Sequence, residues 1–139
     1  MLIAMKSRMA LGNRMRPVFA GPRPYETLPQ WAAAFDVAIY AHQVNRQTKH
    51  SNPLKLREYL ATGKPVVSVI TPETAAFAEV VYLADSPEAY LAAIETALSE
   101  ETPELRRKRM AAVAGVSWDA RFAATVAVVD RMLARGDPR

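Results

Sequence analysis

Short apolar runs rich in β-branched residues alternate along this chain with longer stretches in which apolar side chains return every three or four positions. Asp36-Val37-Ala38-Ile39-Tyr40-Ala41, Val66-Val67-Ser68-Val69-Ile70 and Val80-Val81-Tyr82-Leu83-Ala84 read as buried strands, and Arg16-Pro17-Val18-Phe19-Ala20, closed by the Gly21-Pro22 turn, reads as another. A helix is expected from Leu28 to about Ala34, with Thr27 as its cap and Pro29 in its first turn, and further helices open at Ser86-Pro87, Thr102-Pro103 and Ser117-Trp118. Tyr90, Leu91, Ile94, Ala97 and Leu98 share a face of the first of these. Trp118, Phe122, Val126, Val129 and Leu133 fall at helical spacing in the last and are expected to be core. Less pattern is visible elsewhere. A ragged helix from Leu2 to Leu11, a turn at Thr71-Pro72-Glu73 followed by a short helix near Ala75 to Glu79, and a frayed tail from Gly136 to Arg139 complete the reading.

Strands that alternate with helices predict an α/β fold, with an incomplete Rossmann-like parallel sheet and flanking helices. A length of 139 residues is one domain's worth and short for a two-domain enzyme. Residues 1–16 form a poorly defined N-terminal segment and 17–135 the domain.

The best-marked stretch runs from Ser51 to Val67. Ser51 or Asn52 can accept the first free N–H groups of a helix, Pro53 suits its first turn, Gly63 supplies a left-handed stop, and Lys64-Pro65 leads into a strand. At 3.6 residues per turn, Leu56, Tyr59 and Leu60 make a packing face, and Leu54, Lys55, Glu58 and Thr62 lie opposite. Two readings of Lys55 and Glu58 stand side by side. They are an exposed i, i+3 ion pair, or they border an anion site at a helix N-terminus, with Lys55 adding positive charge and Glu58 accepting hydrogen bonds from sugar hydroxyls.

The polar loop from His42 to Ser51 follows a strand's C-terminal end, where open α/β sheets bind ligands. Asn45, Thr48, His50 and Ser51 make it the second candidate site.

Charge and composition narrow the classes. The net charge of +4 is a mild basic excess, gathered in the first 25 residues and in Arg106-Arg107-Lys108-Arg109. That run follows Glu100, Glu101 and Glu104 and reads as a solvated helix face, and the basic residues are not interleaved with aromatics, which argues against a nucleic-acid binder. No cysteine is present, so disulfides, thiolate metal sites and a cysteine nucleophile are excluded. No unbroken apolar segment approaches the roughly 18 to 20 residues that span a bilayer, and the start is a poor signal peptide, so a cytoplasmic location is the default expectation. Neither G-x-G-x-x-G nor a P-loop occurs.

Leu28-Pro29, then Phe35-Asp36-Val37-Ala38-Ile39-Tyr40, then Asn52 through Val67 with its Gly63-Lys64-Pro65 turn, and finally Ser117-Trp118 resemble, in order, the C-terminal half of retaining glycosyltransferases of the GT-B fold, family 1 or 4 in kind. The resemblance covers about Val18 to Met132. It implies half of a GT-B fold that binds a nucleotide-diphospho-sugar, a UDP- or GDP-sugar, for transfer to an acceptor. By the same resemblance Glu58 meets the nucleotide ribose, Asn52, Pro53 and Leu54 open the helix that faces the diphosphate, and Lys55 is the basic neighbour. His50 stands where many relatives carry a glutamate, a departure at the position that meets the sugar.

The resemblance further implies that the family's acceptor domain, and the first strands of its donor domain with their diphosphate-binding arginine and lysine, are not represented here. A truncated gene, an internal start at Met1 or a split enzyme is the expectation, with an N-terminal-domain partner or self-association at an exposed sheet edge. No catalytic residue, metal or cofactor is assigned: His42 and His50 are the only histidines, and loop histidines are more often structural. The alternative is a stand-alone α/β nucleotide-binding or protein-interaction module without catalysis.

Overall fold

Alternation along the strands sends Ala38, Tyr40 and Val66 to one side of a sheet and Val37, Ile39 and Val67 to the other, and each set lies in its own apolar cluster. The computed structural model describes residues 3–4 and 21–135. The expected strand at Arg16–Ala20, most of the expected helix from Leu2 to Leu11, and the tail from Gly136 lie outside the described residues. Ile3–Ala4 is strand β1 rather than helix, paired antiparallel with β2 (Val37–Tyr40) through Ile3 with Ala38 and Ala4 with Val37. The edge of β2 expected to stand open is therefore partly covered by the chain's own N-terminal segment.

β2 pairs parallel with β3 (Val66–Val69), and β3 pairs parallel with β4 (Tyr82–Ala84), in the order β1-β2-β3-β4. This three-strand parallel sheet flanked by helices is an incomplete Rossmann-like α/β fold. On one side pack α1 (Leu28–Ala34) and α3 (Leu54–Ala61), whose Leu56 and Leu60 are fully buried and whose Tyr59 meets Phe35 edge to face at 6.1 Å. On the other lies α5 (Pro87–Ser99), which contributes Ile94 and Ala97. Ser86 caps α5 by accepting from the Ala89 N–H at 3.2 Å, as the Ser-Pro opening predicts. Leu91, expected on the packing face, lies at its rim and is 65 % exposed.

Gly63 ends α3 with φ +75° and buries its backbone where the chain turns toward β3. α6 (Pro103–Ala114), capped by Thr102, packs across this turn. Its Arg109 is 2 % exposed, donating to the Gly63 carbonyl at 3.1 Å and to Glu101 Oε2 at 2.6 Å. The basic run thus splits. Arg107 pairs with Glu104 at 2.8 Å and Lys108 with Glu79 at 3.6 Å on the surface, as a solvated face should, whereas Arg109 turns inward because the Gly63 carbonyl and Glu101 together offset the cost of burying its charge.

Three local expectations are corrected. Between β3 and β4 the helix is α4 (Pro72–Ala75), not Ala75 to Glu79, because Thr71 and Thr74 form a reciprocal capping box that starts it early. Thr27 does not cap α1: its hydroxyl donates back to the Pro24 carbonyl at 2.8 Å in the preceding 3-10 turn. The third concerns α7 (Trp118–Ala134), which begins at Ser117 as predicted but carries no buried residue; Trp118 is 82 % and Leu133 74 % exposed. Among the described residues, α1 and α3 already cover one face of the narrow sheet and α5 the other. By length and composition alone the helical stretch Pro103–Ala134 is long and apolar enough to cross a membrane. One such stretch is weak evidence of a span, and its first part is the α6 that packs on α3.

Gly63→Ala is expected to lower stability by about 1–3 kcal/mol, because an alanine would be strained at that φ and its methyl would meet Arg106 Cγ at 2.5 Å. Gly115→Ala, with φ −83° and nothing within 4 Å, should stay within about 0.5 kcal/mol. Urea midpoints compare the two.

Burial raises the Tyr90 phenol above its ordinary pKa, and its hydroxyl donates to the Val67 carbonyl at 2.8 Å. The phenol then ionises more readily in the unfolded chain, so its contribution is complete below about pH 10 and is lost as pH rises beyond that. Tyr90→Phe should cost about 1 kcal/mol at neutral pH and flatten the alkaline fall in stability. A melt series on both proteins up to about pH 12 reads the change in slope.

Candidate functional site

The C-terminal ends of the three parallel strands deliver three connections to one edge of the sheet: residues 41–53 after β2, Ile70–Thr71 before α4, and Asp85–Ser86 before α5. That edge is where an open parallel sheet presents a ligand crevice. All the residues expected to bind a donor lie in the first connection or in the α3 that follows it.

The connection after β2 is less open than a ten-residue polar loop suggests. It contains a short helix, α2 (Arg46–Lys49), closed by a capping box. Asn45 Oδ1 accepts from the Thr48 N–H at 3.0 Å, and Thr48 Oγ1 accepts from the Asn45 N–H at 2.8 Å and donates to the Gln43 carbonyl at 2.9 Å. Ser51 Oγ donates to the Thr48 carbonyl at 3.0 Å. The side chains of Asn45, Thr48 and Ser51 therefore shape the loop. His50 ends α2 with its N–H on the Gln47 carbonyl at 3.2 Å and its ring exposed. His42 rests against the Tyr40 ring, centroids 4.4 Å apart.

α3 starts at Leu54, with Pro53 buried at its cap position. Neither Ser51 nor Asn52 caps it, contrary to the sequence expectation. Ser51 is taken by Thr48, and Asn52 Oδ1 accepts from Arg57 Nη1. The two faces separate as predicted: Leu56, Tyr59 and Leu60 are buried, while Leu54 is 59 % exposed and Lys55 and Glu58 face solvent 3.5 Å apart. That contact is the exposed ion pair anticipated from spacing, and such a pair is weak enough for either member to be recruited by a ligand. Burial, with the Glu58 carboxylate beside it, raises the Tyr59 phenol above its ordinary pKa.

Arg57, between these two faces, was not singled out by sequence and organises the edge. Its guanidinium donates to Asn52 on the loop and to Glu73 on α4, and lies 5.6 Å from the centre of the Phe77 ring. Its Nε is buried with no hydrogen-bond partner. One side chain thus ties the α3 lead-in after β2 to α4 after β3. The signal available in the sequence was its place beside the buried stripe of Leu56 and Leu60, a position where an arginine needs a partner.

The structure brings Asn52, Pro53, Leu54, Lys55 and Glu58 together on α3 and its lead-in, and Asn45, Thr48 and Ser51 together around α2. Among the described residues, no side-chain bond joins the second group to Lys55 or Glu58. Two shallow cavities lie at the other end of the sheet. One, of about 220 Å³, is bordered by Val81, Glu100 and Arg109; the other, of about 290 Å³, lies between Pro29 and Ala32 on α1 and Thr62, Lys64 and Arg106. None of the expected site residues lines either. Among the described residues there is no group of three or more His, Asp or Glu side chains placed to hold a metal ion.

Glu73→Gln should lower stability by about 1–2 kcal/mol, since a partly buried guanidinium loses its charged acceptor, while Glu58→Gln should change it by less than about 0.5 kcal/mol. Equal effects in urea titrations would overturn this division of roles. No protein-family model, curated protein or solved structure matches the chain.

Proposed function

We propose that this chain is the nucleotide-sugar donor-binding part of a glycosyltransferase, recognising a UDP- or GDP-sugar, and that alone it carries out no transfer. The observation that supports the reading most directly is the placement of Lys55 and Glu58. Both are exposed on the first turns of α3, the helix that follows the C-terminal end of β2, while the opposite face is anchored in the core. A diphosphate at this edge gains from the free N–H groups at the start of α3 and from the Lys55 ammonium. A ribose placed outward along the helix meets the Glu58 carboxylate, an acceptor well suited to paired hydroxyls. Arg57, held by Asn52 and Glu73, fixes the loop and α4 on either side rather than meeting the ligand.

Retaining transfer also needs an acceptor aligned beside the anomeric carbon, and none of these residues serves that need. The reading therefore assigns binding to this chain and bond making to an assembly with an acceptor domain. A second reading, a protein-interaction module without catalysis, is favoured by the exposed apolar residues of α7.

Calorimetric titration of the purified chain with UDP, GDP, ADP and UDP-glucose separates the two. Saturable binding of a uridine or guanosine diphosphate is expected, weakened about tenfold or more, some 1.4 kcal/mol, by Glu58→Ala. A folded chain that binds none of the four would overturn the donor reading, as would robust sugar transfer by the chain with no added partner.

A further inference from the structure

Seven of the thirteen large apolar side chains exposed on the described part of the chain belong to α7. Trp118, Phe122, Val126, Val129, Met132 and Leu133 are between 39 % and 82 % exposed, and no residue of the helix is buried. At about 100° per residue they fall within one arc roughly a third of the way round the helix, with Val129 at its middle and Thr125 inside it toward the Met132 edge. Soluble chains rarely leave such a stripe uncovered.

We propose that this face of α7 pairs with the same face of a second copy of the chain, the two helices running parallel about a two-fold axis. Three features of the helix point to that occupant. Asp119 and Asp130 border one edge of the stripe, while Arg121 and Arg135 border the other. In a parallel two-fold pair the acidic edge of each helix lies along the basic edge of its partner, whereas an antiparallel pair sets like against like. The area suits a dimer as well. Two aromatic side chains of about 150–250 Å² each, with four aliphatic ones, approach the roughly 800 Å² per partner that stable interfaces bury. The side away from the stripe is mostly alanine, at Ala120, Ala123, Ala124 and Ala127. Arg131 is the one cation among them, where a helix lying on anionic lipid would carry several Lys and Arg.

Sedimentation equilibrium of the full chain without nucleotide, at concentrations on the order of 1–100 μM, tests this independently of donor binding. A concentration-dependent dimer is expected. The double change Phe122→Asp with Val129→Asp should weaken it at least tenfold and leave the far-UV dichroism of the fold in place, since both side chains are exposed. Because the chain has no cysteine, Val129→Cys, at the middle of the stripe, supplies a single thiol, which should cross-link to its counterpart under mild oxidation when the helices run parallel. A monomeric wild type would overturn the proposal. So would a dimer indifferent to the two aspartates, a dimer in which Val129→Cys does not cross-link, or monomers that co-sediment with phosphatidylcholine and phosphatidylserine vesicles.

Discussion

The Arg109 guanidinium seated on the Gly63 carbonyl is the contact on which the arrangement of this chain depends. α3 must stop where β3 is to begin, and a helix end leaves carbonyls without partners. Gly63 resolves the geometry by taking a positive φ, and its N–H closes on the Leu60 carbonyl at 2.9 Å. Its own carbonyl, buried by the turn, is met from outside by Arg109, whose charge is in turn met by Glu101. A single buried group thereby joins α3, the entry to β3 and α6. Placing α6 across this turn also determines where α7 leaves the body of the fold.

At the opposite end of the sheet a different arginine does comparable work under looser conditions. Arg57 holds the lead-in to α3 and the start of α4 together through Asn52 and Glu73, and is only partly shielded from water. Among the described residues its neighbours Lys55 and Glu58 pair with each other alone, so the rigid and the available charges on one short helix are cleanly divided. Such a division is what a binding edge requires: groups that hold position, beside groups whose hydrogen-bonding capacity is not already spent. The loop side chains Asn45, Thr48 and Ser51 fall on the rigid side of that division.

α7 shows how far a small sheet can reach. Three parallel strands and a two-residue edge strand present two faces, one covered by α1 and α3, the other by α5. An amphipathic helix arriving after those faces are occupied keeps its stripe exposed, however well the stripe is formed. Its apolar residues are then a statement about association rather than about the core of this chain.

Much of the fold was legible in the residues. β-branched runs at Val37 and Val66, the Ser-Pro and Thr-Pro helix openings, the Gly63 stop and the two faces of α3 follow from short-range sterics, hydrogen bonding and periodicity, which act within a few positions along the chain. What those rules left open was decided by competition between near neighbours or by partners distant in sequence. Whether Ser51 and Asn52 cap α3 was settled by Thr48 and by Arg57, which claimed them first. Whether Arg109 faces water was settled by a carbonyl 46 residues away. That Ile3–Ala4 becomes a strand was settled by the free edge of β2. Periodicity in α7 named the face to be covered, but only the finished sheet, its two faces taken by α1, α3 and α5, decided that nothing in the described chain covers it.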